Sequence, residues 1–325
     1  MPQTILGFVK QISLRHQVWL FLLSVIVFIL ITAPLDLQRR IVNDAVKDGD
    51  IRSILLLTLA YAGIALGQGA IKLVLNIYQA RVSENSIRHI RRMVYRLMRA
   101  VPEERRAAQQ QGVEISVILS EAEPVGGFVG MAVSEPVQHG GLLLGVFGYM
   151  AYLQPWMALM TLAIFLPQAG FVPLMQRAIT RAAEARIKTL REVGVSIIAE
   201  DENGADDPKK QNDRIDRVFE LNMRVNRLKY WMNFLINGIN HLGVTAVLGV
   251  GGWLAVEGEI EVGTVVAFVS GIQKVNEPWG EAINWYRDLT MAQVKYRLIG
   301  DAVRAFARSI GQSGNDRAKQ PAAAE

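Results

Sequence analysis

The 325-residue chain contains no cysteine, and only 20% of its residues are charged. The absence of cysteine excludes a disulfide framework, a thiolate metal ligand and a cysteine nucleophile. The low charge accompanies 51% hydrophobic residues and a mean hydropathy of +0.21. These values exclude the disordered and collagen-like classes and argue against a soluble globular protein. The sequence therefore predicts an integral membrane protein.

The hydrophobic residues are concentrated in long runs without charge. A bilayer core of about 30 Å needs about 20 such residues per helix. The runs 16–35, 53–71 and 230–256 each fit one span, and the 41-residue run 136–176 fits two. Gln154-Pro155 lies near the middle of the long run and predicts a tight turn there. The run 262–273 is too short by itself. Composition thus predicts five spans, at about 16–36, 53–78, 136–154, 156–176 and 230–256.

The distribution of lysine and arginine predicts the orientation. The segment between the second and third spans carries eight arginines, and the segment between the fourth and fifth carries twelve basic residues. Cytoplasmic loops carry such an excess, so we expect both segments and both chain termini to lie in the cytoplasm. The expected location of the protein is the inner (plasma) membrane. Apolar residues recur at helical spacing within 77–99, 176–198 and 213–229, which predicts long cytoplasmic helices that continue from the spans.

Several short patterns occur in an order typical of one family. Gly112 is followed nine residues later by Glu121, Glu200 precedes Gly204, and Gly258, Gly263 and a hydrophobic run lead to Pro278. In this order the chain resembles the transmembrane domain of ABC exporters over about residues 10–300. The resemblance implies a sixth span at about 262–289 and an all-α membrane protein of six transmembrane helices with long cytoplasmic extensions. It makes 1–310 one domain, and 311–325 is predicted to be a disordered tail.

The resemblance also implies partners. Exporters of this family use an ATPase, but the sequence has no Gly-Lys pair and hence no phosphate-binding loop of the G-x-x-x-x-G-K-[ST] type. We expect ATP and magnesium on a separate ABC ATPase subunit, no cofactor in this chain, and a homodimer or a pair with a related permease subunit. By the same resemblance the ATPase docks at the tips of the two cytoplasmic excursions. The candidate docking residues are Glu103, Glu104, Arg105, Arg106, Gly112, Glu200, Gly204, Asp206 and Asp207.

Polar residues within the spans are candidates for the transport pathway. Four of them follow helical spacing in the fifth span, and three ionisable residues share one face of the sixth. They are Asn233, Asn237, Asn240, His241, Lys274, Glu277 and Glu281. Hydrogen bonding between helices is the alternative role for the first four. Charges at the end of a span, where the helix leaves the bilayer, are the alternative for the others.

The sequence contains no catalytic motif. For the histidines His16, His89, His139 and His241 we expect neither a His-x-x-x-His pair nor a His/Glu spacing typical of metal ligands, and hence no metal site. The arginine-rich stretch 88–99 lacks interleaved aromatic residues, so no nucleic-acid partner is expected. The predicted function is a permease subunit that forms half of a translocation pathway by alternating access. Two alternatives stay open: a proton-driven transporter on the same scaffold, and a membrane assembly or regulatory subunit that does not transport.

Overall fold

The computed structural model of the chain describes residues 2, 4–47, 50–100, 121–203 and 208–319. Side chains are described within these ranges except at 98, 191, 192, 194–203, 208, 276, 277, 279, 283, 302 and 305–319. The described residues form seven α-helices and no strand. The helices are α1 Ile5–Val46, α2 Ile51–Ala100, α3 Ala122–Met131, α4 Ser134–Leu153, α5 Pro155–Asn203, α6 Pro208–Val256 and α7 Val262–Lys319. The predicted all-α fold class is confirmed.

Local residue chemistry explains where several helices begin and end. The Thr4 hydroxyl caps α1 by accepting a hydrogen bond of 3.2 Å from the Gly7 amide. Both α5 and α6 begin with a proline. Proline fits the first helical position because its fixed φ suits a helix and because a backbone amide there has no hydrogen bond within the helix to lose. Gly258 follows the end of α6 with a φ of +80°, a conformation that a residue without a Cβ adopts at no cost.

Within the described ranges, four helices are long and apolar enough to cross a membrane. They lie within Ile5–Val46, Ile51–Leu97, Pro155–Leu190 and Lys209–Val256. Their large apolar side chains mostly point outward, as at Leu66, which is 77% exposed, and Trp156, which is 78% exposed. An outward apolar surface suits a lipid environment. The first, second, fourth and fifth predicted spans lie on these helices. The third, on α4, and the sixth, on α7, remain predictions.

The predicted helical extensions are present. The helix α2 continues past its apolar part to Ala100, and α5 and α6 run without interruption to Asn203 and from Pro208. A break between helices is present at Gln154-Pro155, since α4 ends at Leu153 and α5 begins at Pro155; the tight turn there stays a prediction. The helix α7 extends to Lys319; the disordered tail expected from residue 311 stays a prediction. Extending a formed helix costs much less than starting one, which favours this continuation.

The chain divides into two compact units. The first comprises Met1–Gly148 and Glu277–Glu325, and the second comprises Tyr149–Asn276. In the first unit Gly141 on α4 lies against the ring of Phe28 on α1, where a larger residue would collide. In the second, Gly243 on α6 lies against Phe165 on α5 and Ile272 on α7. Small residues of this kind allow helix backbones to approach closely, as in membrane bundles.

Candidate functional site

The first helical excursion is fastened by a close approach of α2 and α3. A methyl group at Gly126 would overlap Ile87 on α2, and one at Gly130 would overlap Ser83. The Ser83 hydroxyl donates a hydrogen bond of 3.2 Å to the Gly127 carbonyl. Arg91 forms an ion pair of 2.8 Å with Glu123. These contacts fix the start of α3 along one face of α2.

The same excursion is joined to α7 by an ion pair. The Lys295 Nζ lies 2.9 Å from Oε1 and 2.7 Å from Oε2 of Glu121, the residue that precedes α3. The Glu121 side chain is only 13% exposed, so the pair is partly shielded from solvent and from salt. Within the first unit, α3 is therefore attached both to α2 and to the later part of α7.

The N-terminal segment is held against the same part of α7. The Ile5 amide donates a hydrogen bond of 2.9 Å to Gln293 Oε1, and the Tyr296 hydroxyl donates one of 2.9 Å to the Pro2 carbonyl. Burial raises the pKa of the Tyr296 hydroxyl above its ordinary value, although the charge of Arg304 acts in the opposite direction. The hydroxyl therefore stays protonated and can donate this bond at neutral pH.

A kink in α1 separates this segment from the first predicted span. The backbone at Ser13 is non-helical, with φ −131° and ψ 19°. The side chain of Gln17 donates to Ser13 Oγ at 3.0 Å and to the Val129 carbonyl on α3 at 2.8 Å. The kink lets the first turns of α1 leave the direction of the span and pack on α7.

The second excursion is the pair of long helices α5 and α6. A small core of Ile179, Ala182 and Val225 packs with the partly buried Ala183, Leu228 and Met232. Beside it, Arg186 Nη1 donates a hydrogen bond of 3.1 Å to Asn222 Oδ1. The two helices therefore remain in register beyond the part of α6 that is predicted to lie in the membrane.

The predicted docking tips fall largely outside the described residues. This holds for Glu103, Glu104, Arg105, Arg106, Gly112, Gly204, Asp206 and Asp207. Glu200 lies on the last turn of α5, but its side chain is not among those described. The structure places the bases of both excursions, and the docking role of the tips stays a prediction.

The predicted pathway residues occupy different environments. On α6, Asn233, Asn237 and His241 are exposed, and Asn240 is half-buried with a buried Oδ1 that accepts no hydrogen bond from any described residue. On α7, Lys274 is half-buried in the second compact unit.

Glu281 is half-buried in the first unit, while the side chain of Glu277 lies outside the described ones. A shared role of Lys274, Glu277 and Glu281 in transport stays a prediction.

The structure brings together three side chains that the sequence did not connect. Glu135 and His139 on α4 meet Glu281 on α7, and one ligand atom from each lies within 4.8 Å of the other two. All three residues are half-buried. The expectation of no His/Glu spacing is wrong, because Glu135 and His139 have a Glu-x-x-x-His spacing, which places two metal-binding side chains on one helical face.

Comparison with known proteins agrees with the fold. Residues 16–200 match the family described as the ABC transporter transmembrane region. A protein of Bacillus subtilis (strain 168) named "Uncharacterized ABC transporter ATP-binding protein YfiC" is 20% identical over 241 residues, which cover 71% of this chain. The chain spans about two fifths of that relative, 39% of its length. Because the family match extends over more than half of its residues, the chain, a multi-pass membrane protein, belongs to the ABC transporter transmembrane region family.

Proposed function

We propose that the chain is the permease subunit of an ATP-driven transporter and is powered by a separate ATPase polypeptide. Two permease subunits, either identical or related, enclose one pathway. Closure of the ATPase moves the long helices, and the spans alternate between inward-open and outward-open states. The membership in the ABC transporter family supports the general assignment. That the permease and the ATPase are separate polypeptides is our inference.

The length of α5 and α6 carries this proposal. Each helix has 49 residues, or about 74 Å at 1.5 Å per residue. A bilayer core takes up about 30 Å of that length, which leaves about 40 Å outside the core. The apolar core around Val225 and the bond from Arg186 to Asn222 stiffen the outer part. A stiff pair of this length can carry a displacement at its tip into the membrane.

Charge supports the orientation in this proposal. The outer parts of α2, α5 and α6 carry the basic residues that the positive-inside rule assigns to the cytoplasm. This orientation places the tips around 103–112 and 200–207 where a cytoplasmic ATPase can reach them, in the inner membrane of the cell. It also places the N-terminal segment and the later part of α7 on the cytoplasmic side.

The polar face of α6 supports the pairing of two subunits. Asn233 and Asn237 are exposed on a helix that is apolar enough to cross a membrane. An amide facing lipid loses its hydrogen bonds to water at a cost of about 1–3 kcal/mol. This face is therefore better placed toward a wet pathway or a second subunit than toward lipid.

Residues 1–325 contain no phosphate-binding loop, so we assign ATP and magnesium to a partner. The protein should be purified from its native membrane through a tag, and the co-purifying proteins identified. We expect an ATPase subunit in about the same molar amount as this chain. We also expect the purified complex to hydrolyse ATP faster in lipid vesicles than in detergent. A preparation that transports without any nucleotide-binding partner, or only with a proton gradient, would overturn the proposal.

A matched pair of variants tests where the partner docks. The double variant Asp206→Lys/Asp207→Lys reverses the charge of the second tip and should lower ATPase recovery. The control is the double variant Asp213→Lys/Asp216→Lys, which makes the same change of charge at two exposed positions on α6. Equal recovery with both variants would show that the second tip is not the docking surface.

A further inference from the structure

The meeting point of α4 and α7 carries a group of side chains with metal-binding chemistry. Glu135 and His139 extend from α4 and Glu281 extends from α7, and their ligand atoms lie within 4.8 Å of one another. We propose that these three residues bind a first-row divalent transition-metal cation, best matched by Zn²⁺. The proposal stands independently of the proposed transport function.

The positions of the ligands on their helices suit such a site. Glu135 and His139 are four residues apart, so they project from one face of α4. In a tetrahedral zinc site with bonds of about 2.0 Å, ligand atoms lie about 3.3 Å apart. The present spacing needs each side chain to move inward by about 1 Å, which a small rotation of a glutamate provides. Three protein ligands leave the fourth position for water or an anion.

The charge at this place favours a bound cation. The carboxylates of Glu135 and Glu281 repel each other, and Asp288 adds to the negative potential at Glu135. Asp288 forms an ion pair with Arg287, in which Oδ1 lies 3.5 Å from Nε. In the described part of the chain no lysine or arginine pairs with Glu135 or Glu281. Two half-buried carboxylates this close together are costly, and a divalent cation offsets both charges.

Neighbouring amides can orient the two carboxylates. The side chain of Gln79 on α2 forms a hydrogen bond with the carboxylate of Glu135. On α7, Asn284 Nδ2 lies 3.4 Å from Glu281 Oε2. Metal-binding carboxylates are commonly held in this way by a second layer of polar groups, which fixes the direction of their lone pairs.

The mixture of ligands narrows the choice of metal. One imidazole with two carboxylates suits Zn²⁺, and also Mn²⁺ or Fe²⁺. Mg²⁺ and Ca²⁺ prefer oxygen ligands throughout, and the chain has no cysteine for a softer metal such as Cu⁺. A cation here would join α4 to α7, which carry the third and sixth predicted spans, and would restrain any motion of one against the other.

The test is a zinc titration of the full chain in detergent, purified through a tag without histidine. We expect one equivalent of Zn²⁺ to bind and to raise the thermal unfolding midpoint. Mg²⁺ should do neither. In Glu281→Gln and His139→Gln we expect the affinity to fall by at least about 100-fold, more than the loss of an outer-layer group causes.

His89→Ala is the matched control, because it removes an exposed imidazole from the neighbouring helix α2 and should leave zinc binding unchanged. The unfolding midpoint without metal shows whether each variant folds. Should His139→Gln fail this check, Glu135→Gln and Glu281→Gln provide the same test. Absence of zinc binding to the wild type, or equal binding by the folded variants, would overturn the proposal.

Discussion

The two helical excursions are fastened by different chemistry. The contact of α2 with α3 depends on glycines and on an ionic bond: Gly126 and Gly130 allow close approach, and Arg91 forms an ion pair with Glu123. A second ion pair, between Lys295 and Glu121, joins this excursion to α7. The contact of α5 with α6 depends on a small apolar core around Val225 and one hydrogen bond from Arg186. The first contact tolerates little change in distance. The second depends on apolar packing, which is less sensitive to the exact distance between the two helices.

The largest loss of stability is expected from Gly126→Val. A Cβ at Gly126 would overlap the side chain and backbone of Ile87, so α2 and α3 would have to separate. We expect a loss of about 3 kcal/mol in the free energy of unfolding, measured by titration with sodium dodecyl sulfate in mixed micelles. Gly127→Val is the control, because no atom of the described residues lies within 4 Å of a Cβ there. Equal losses in both variants would remove close approach as the cause.

The next largest effect is expected from Lys295→Met. This change leaves the mostly buried carboxylate of Glu121 without its cation and should cost about 2 kcal/mol in the same titration. The double variant Lys295→Met/Glu121→Gln removes the unpaired charge as well and should recover part of the loss. A double variant no more stable than Lys295→Met would show that the ion pair does not stabilise the contact.

A smaller loss is expected in the second excursion from Val225→Ala. This variant removes two buried methyl groups from the core between α5 and α6 and should cost about 1.5 kcal/mol, at about 0.8 kcal/mol for each buried carbon. Hydrogen exchange of the α6 amides should also become faster near residue 225. Met223→Ala, at a position that is 43% exposed, is the control and should change both quantities less.

The smallest effect is expected from Arg91→Gln. Arg91 and Glu123 are 37% and 63% exposed, so solvent screens their ion pair. Exposed pairs contribute about 0.2–1 kcal/mol, and we expect a loss near the middle of that range. A larger loss, one that persists in high salt, would mean that this pair fastens α3 as strongly as Lys295 and Glu121 do.

The membrane class and the long helices followed from local sequence. A run of uncharged residues determines whether a segment can cross a bilayer, and helical spacing without glycine or proline determines how far it continues. Both rules correctly extended α2 to the region of Arg99. For the tail after residue 311, composition and the low cost of extending a helix that is already formed point in opposite directions, and α7 extends to Lys319.

The polar cluster could be predicted only in part. Glu135 and His139 are close in sequence, and their spacing was open to recognition. Glu281 is on another helix, and only the packing of α7 against α4 in the first unit brings it near them. The same limit applies to Lys295 and Glu121, whose ion pair joins residues 174 positions apart. Charge patterns show which residues need a partner, but not which distant residue supplies it.

The bond between the Ile5 amide and Gln293 has a consequence for biogenesis. Its two residues are 288 positions apart in the chain, so at about 5–20 residues per second the ribosome needs about 15–60 s to make the second after the first. Throughout that time the turns before Ser13 lack the part of α7 on which they pack. A nascent chain shortened before residue 293 should therefore leave this segment open to proteases, even when its membrane spans are already inserted.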